Sequence, residues 1–202
     1  MTNTNIVFAL DKSYTYKEYR TLVSNLIKEG KPTGNTQSDD LLHYSELNET
    51  RMNRLEKTIK ITEEVVKQIN QLQKKVTWLV LSEGWCGDAA QILPILHKMA
   101  ESSEFIDLKI VLRDENEPLM NDFLTNGGKA IPKLIILDEE QNVVADFGPR
   151  PKPARKLIAD YKEANGVVDE PIKVELQKWY LHDKGITTQN EIMQIMKNKE
   201  LV

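Results

Sequence analysis

The sequence predicts an α/β protein in which a central mixed sheet is flanked by helices, with further helices at both ends. Three observations carry that expectation. An apolar run of strand length stands at residues 76–81, and stretches rich in branched apolar residues at 106–112 and 131–137 also read as strands. Helical patterns fill the intervals between them. Most apolar positions before residue 75 and after residue 165 recur at helical spacing rather than alternating.

Composition bounds the reading. The chain has 202 residues, 40% hydrophobic and 29% charged, which suits one globular domain with extensions. A net charge of −4 gives no basis for nucleic-acid binding. No apolar run approaches the ~20 residues of a membrane span, so no membrane is expected as a partner. The first ten residues lack the charged and apolar regions of a secretory signal. With one cysteine there is no internal disulfide, and a reducing cytoplasm is the expected compartment.

In chain order, residues 6–10 read as a short strand or ordered arm. Ser13 or Thr15 can cap a helix with the stripe Tyr16, Tyr19, Leu22, Val23, Leu26 and Ile27, ended by Gly30. A polar loop follows, and then a long helical stretch over 40–72, expected to break near Asn48. On it Leu55, Ile59, Thr62, Val66, Ile69 and Leu72 share one face. Arg51, Arg54, Lys57 and Lys60 share another. That strip reads as a solvated face balanced by Glu46, Glu49, Glu56, Glu63 and Glu64, over the alternative of a site for an acidic partner or glutathione carboxylates.

The run 76–81 reads as a buried strand, and a helix follows from Asp88 to about Ser102, interrupted at Pro94. His97 is three turns from Cys86 and too distant to be its base. Residues 106–112 form a second strand, 118–124 a short helix and 131–137 a third strand. A turn at 139–142 leads into an antiparallel return at 143–146. The first two strands, joined through a helix, should be parallel. Pro151 opens another helix, ended by Gly166. One more starts at Asp169 and stops at Gly185. Thr188 and Glu191 read as the capping box of a last helix.

Cys86 lies where the first buried strand hands over to a helix, a place where N–H groups and the helix dipole favour an anion such as a thiolate. Asp88, two residues on, acts in the opposite sense, so the net shift is open. A lone cysteine is also often a small buried hydrophobe.

The segment Trp85-Cys86-Gly87-Asp88-Ala89 resembles the Trp-Cys-Gly-Pro-Cys stretch of thioredoxins. Pro94, eight residues after the cysteine, and Ile131-Pro132 at the head of a strand are similar to that family in order and spacing, and Gly148 falls where the family has a glycine loop. More narrowly, the chain looks like a bacterial branch carrying a single-cysteine Trp-Cys-Gly-Asp-Ala motif. The resemblance implies a thioredoxin-like domain at 75–165, with an N-terminal helical extension, 1–74, packed on it and a C-terminal one at 166–202.

The departures from the family matter as much. Ala89 occupies the place of the second cysteine, Asp88 that of the active-site proline, and Val80 that of a buried aspartate. By the resemblance, Cys86 is the catalytic candidate, partly exposed at a helix start, with Trp85, Gly87, Asp88 and Ala89 as its neighbours. Ile131, Pro132, Gly148 and Arg150 are the candidates for a substrate-peptide groove with a cis proline. Arg150 could hold a carboxylate or sulfenate there, or be a solvated surface residue. No metal site and no cofactor is indicated.

The expected activity is monothiol thiol–disulfide exchange through Cys86, in the service of cell redox homeostasis. Its partner is a protein disulfide or a low-molecular-weight thiol, with the resolving thiol supplied from outside the chain. The alternatives are a non-catalytic interaction module and a redox sensor that forms an intermolecular disulfide, as in a homodimer. An exposed thiol of low pKa would mark the first and an ordinary thiol the second.

Overall fold

A computed structural model describes residues 3–202. Its centre is a four-stranded sheet in the order β2-β1-β3-β4, made of β1 (Val76–Ser82), β2 (Ile106–Leu112), β3 (Lys133–Leu137) and β4 (Val143–Phe147). β1 runs parallel to β2, with Val76 opposite Ile106 and Ser82 opposite Leu112. β3 runs antiparallel to β1, with Leu134 opposite Val80, and β4 returns antiparallel to β3. All of β1 except Thr77 is buried, and so is all of β3. Helices cover both faces of these strands, which is why they read as continuous apolar runs rather than alternating ones.

Helix α5 (Gly87–Ala100) carries the chain from β1 back to β2. Before it come α1 (Thr4–Asp11), α2 (Tyr16–Lys28), α3 (Asp39–Thr58) and α4 (Glu63–Ile69). After β2 come α6 (Glu117–Asp122), α7 (Lys152–Asn165), α8 (Glu170–Asp183) and α9 (Ile186–Asn198). α3 packs along α5, and α4 and α9 meet beside it. One hydrophobic core joins them: Ile6, Tyr19 and Met52 from the first helices, Trp78 and Ile135 from the sheet, and Ile192 and Met196 from the last helix. Among the described residues no helix is long and apolar enough to cross a membrane.

Thr15 forms a reciprocal capping box with Glu18 at the start of α2. Three other expectations are corrected. Residues 6–10 lie inside α1, not in a strand: Asn3 caps that helix through the Asn5 N–H, and Ile6 and Ala9 bury one side of it. The long helical stretch does not break at Asn48. It continues to Thr58, and the chain resets at 59–62, where Thr62 caps α4. Asn48 is spent on a tertiary contact, its Nδ2 donating to the Gly84 carbonyl at 3.0 Å. Thr188 is no cap either. α9 starts two residues earlier, after Gly185 at φ +79°, and Thr188 is buried within it.

A Cys86 pocket walled by two helices

Cys86 is the N-cap of α5. Its Sγ accepts the Ala89 N–H at 3.4 Å and donates to the Ile131 carbonyl at 3.3 Å. The residue is only 8% exposed, so the partly exposed thiol expected from the sequence is corrected to a buried one. Burial pushes the thiol up to about 12, and Asp88 adds to the rise. The N–H groups of Ala89 and Asp88 and the Arg150 guanidinium oppose it without winning. The helix start therefore does act on the sulfur as expected, but desolvation is the larger effect.

Asp88 is nearly enclosed. Its Oδ1 accepts from the Tyr180 hydroxyl at 2.8 Å, and its Oδ2 pairs with Arg150 Nη2 at 2.7 Å. Arg150 thus holds a carboxylate, one that belongs to the protein itself, and its Nε is buried with no hydrogen-bond partner. Tyr180 sits on α8, 92 residues beyond Asp88. Burial first, and then Asp88, pushes its phenol well above 10.

Trp85 is half-buried, with its Nε1 donating to the Thr33 carbonyl at 3.1 Å and Arg113 lying 4.9 Å over its ring. The Thr33 Oγ1 accepts the Gly84 N–H at 2.8 Å, so the loop before α3 ties down the segment just ahead of the cysteine. Behind it Glu83 is fully buried. Its Oε1 accepts the Asp114 N–H at 3.0 Å, and its Oε2 has no partner. Burial raises its pKa, with the Asp114 N–H opposing the rise and the Asp114 charge adding to it.

A Cβ on Gly87 would stand 3.6 Å from Gln177 Nε2 of α8 and 3.8 Å from Arg51 Nη1 of α3. Both helices therefore close over the start of α5. Ala89, in the place of a second cysteine, is buried. The Ile131–Pro132 peptide bond is cis, and the Ile131 carbonyl is taken by Cys86. Gly148 lies behind Pro132 at φ +127°, where a Cβ would come within 2.2 Å of the Pro132 carbonyl oxygen. His97 is engaged elsewhere, stacked on Tyr16 at 4.0 Å between ring centres.

In front of the sulfur lies a cavity of about 770 Å³. The site residues Trp85, Cys86, Gly87, Asp88, Ile131 and Arg150 line it, whereas Ala89, Pro132 and Gly148 stand behind its wall. The sequence reading missed Tyr44 of α3 and Gln177 of α8, and it kept Arg51 and Arg54 of α3 only under the less favoured reading of a site for acidic groups. Of the four cations in that strip, Arg51 and Arg54 line this cavity, Arg54 from an exposed position, whereas Lys57 and Lys60, the latter beyond the end of α3, do not. The unbroken α3 is the reason, since it carries Arg51 past Gly87.

The cavity wall also holds Arg113, Lys129, Arg150, Lys173 and Lys178, paired with Asp114, Glu117, Asp88, Glu170 and Glu175 in that order. Among the described residues Arg51 and Arg54 have no carboxylate within ion-pair distance. No group of three or more His, Cys, Asp or Glu among the described residues is placed to hold a metal ion.

A family described as Thioredoxin matches residues 34–162, from the loop before α3 to α7. Among solved structures, a protein of unknown function from Pseudomonas aeruginosa is similar over 92% of this chain and 98% of its own, at 16% identity and a TM-score of 0.59. An HIV epitope-scaffold is similar over 92% of this chain and 99% of its own, at 16% identity and a TM-score of 0.58. At that identity the likeness concerns the fold. No curated protein matches the chain.

Proposed function

This chain belongs to the thioredoxin family, and we propose that it carries out monothiol thiol–disulfide exchange through Cys86. The observation that supports this is the placement of the sulfur. It caps α5, accepts the Ala89 N–H, and opens on a cavity large enough for a small disulfide. Fold alone does not assign an activity; the cavity and the sulfur together carry the reading.

Cys86 is the single cysteine, so the second thiol comes from outside. Ionised Cys86 attacks one sulfur of a disulfide R–S–S–R′. That S–S bond breaks, and R′–S⁻ leaves and takes up a proton like the one Cys86 gave up. The mixed disulfide of Cys86 with R–S is then attacked at the R-side sulfur by a low-molecular-weight thiol R–SH. R–S–S–R departs, the proton of R–SH passes to Cys86, and the thiol is restored. The Ala89 N–H and Arg150 favour the anion at Cys86 in each half of the cycle. At pH 7 a thiol near 12 is ionised in roughly one molecule in 10⁵, so exchange at rest is slow.

That same burial favours a second reading, a binding module in which Cys86 does no chemistry. The test is turnover of a small mixed disulfide by the intact chain and by Cys86→Ser, with a mass measurement for the Cys86 adduct. Turnover and adduct in the intact chain, both lost in the serine variant, are expected. Equal turnover in the two chains would overturn exchange at Cys86, and silence in both would leave the module.

A further inference from the structure

The cavity carries a charge that the thiol chemistry does not explain. The chain as a whole is acidic, yet this wall is cationic. The other cations of the wall are answered by the protein's own carboxylates, and Arg51 and Arg54 are not. They lie three residues apart on α3 and share a face, where like charges repel. Arg51 is also half-buried, fixed by its Nη1 donating to Asn48 Oδ1 at 2.7 Å. Burial first, and then Arg54, lowers its pKa, with Glu170 and Tyr44 opposing. Two guanidinium groups on one face of a helix that lines the cavity suit an anion, because carboxylate and phosphate both take paired N–H bonds from arginine.

The shape selects a small ligand over a peptide. A volume of about 770 Å³ falls within the range of roughly 300–1,000 Å³ typical of small-molecule sites. α3 and α8 wall the place where a peptide would lie. The backbone carbonyl that would pair with a peptide strand, that of Ile131, is already taken by Cys86. Leu176, Val174 and Leu181 of α8 add apolar lining.

We propose that the cavity binds an anionic low-molecular-weight thiol or its disulfide, with Arg51 and Arg54 receiving its carboxylate or phosphate groups and its sulfur resting against Cys86. That the ligand carries sulfur rests on the exchange reading of Cys86; the anion site stands on the arginines and the cavity.

The test separates the two. Calorimetric titration of Cys86→Ser, which has no thiol, uses glutathione as the carboxylate probe, coenzyme A as the phosphate probe and cysteamine as a cationic control. One anionic probe is expected to bind, less tightly as salt rises, with cysteamine giving no heat. Arg54→Gln, at an exposed position, should weaken that probe about tenfold, and Arg51→Gln together with it should weaken it further, while Arg51→Lys with Arg54 intact retains part of the affinity. The probe that binds tells carboxylate from phosphate. Failure of both anionic probes, equal binding of cysteamine, or an affinity untouched by the arginine substitutions would overturn the anion site. Incubation of the intact chain with the disulfide of the binding probe then reads Cys86 separately: an adduct supports the thiol ligand, and binding without an adduct overturns the exchange reading and the sulfur assignment but not the anion site.

Discussion

Replacing Asp88 by asparagine should wake the thiol. Cys86 is held at about 12 first by burial and next by Asp88. Asparagine keeps the shape and can still accept from Tyr180, but it removes the charge and leaves Arg150 without its 2.7 Å partner, free to act on the sulfur. Removing a neighbouring unit charge at an effective dielectric of about 20 is worth on the order of 2 kcal/mol, between one and two pKa units. Alkylation follows the thiolate, so the rate below the pKa should rise about 10- to 100-fold. The assay is the pH dependence of iodoacetamide alkylation, and the single cysteine makes every adduct assignable. In the native chain the rate should climb about tenfold per pH unit from about pH 7 to about pH 10 with no plateau, and Asp88→Asn should climb in parallel above it. Arg150→Gln should move the other way, since it removes a cation that favours the thiolate. A native plateau below about pH 9, or an Asp88→Asn chain no faster than the native one, would refute the account. Unfolding gives itself away by a plateau near the free-thiol value of ~8.5.

Glu83→Gln should stabilise the protein at neutral pH. The folded-state pKa of Glu83 is raised, so folding favours its protonated form. The stability tied to this group is full below the ordinary value of 4.5 and is lost as pH rises through the folded value. The amide is neutral throughout, so a higher Tm than that of the native chain is expected at pH 7. The gain should shrink to nothing toward pH 4, and thermal melts at both pH values check it; an equal gain at both would contradict the charge argument. Gly148→Ala should cost about 2–4 kcal/mol, because its φ of +127° strains any side chain and the added Cβ meets the Pro132 carbonyl oxygen at 2.2 Å. Urea titration reads that loss, and a change below 1 kcal/mol would mean that the backbone gives way there.

The sheet was legible because its evidence is local. Val76 to Leu81, Thr77 apart, and Leu134 to Leu137 are apolar since helices lie on both faces, and the run of apolar residues shows that burial directly. Cys86 at the hand-over from strand to helix was legible for the same reason. What the sequence could not carry is whatever depends on distant partners. Asn48 looks like a helix breaker by propensity, yet it is buried against Gly84, and placing the break there hides the face on which Arg51 and Arg54 share a cavity with Cys86. Tyr180 stands 92 residues from Asp88, with no spacing rule to join them.

The sign of the thiol's pKa shift turns on the same distinction. The N–H groups and dipole that favour a thiolate come with the start of α5 and can be read from the residues themselves. The burial that outweighs them comes in part from α3 and α8, which close over Gly87 from either end of the chain. These helices act in two ways at once. They silence the sulfur by removing water, and they turn the open surface around it into a cationic cavity that a small anion can fill. A ligand seated there would bring its disulfide to a thiol that bulk reagents reach slowly, so the proposed selectivity for small anionic partners and a low resting reactivity would have one structural origin.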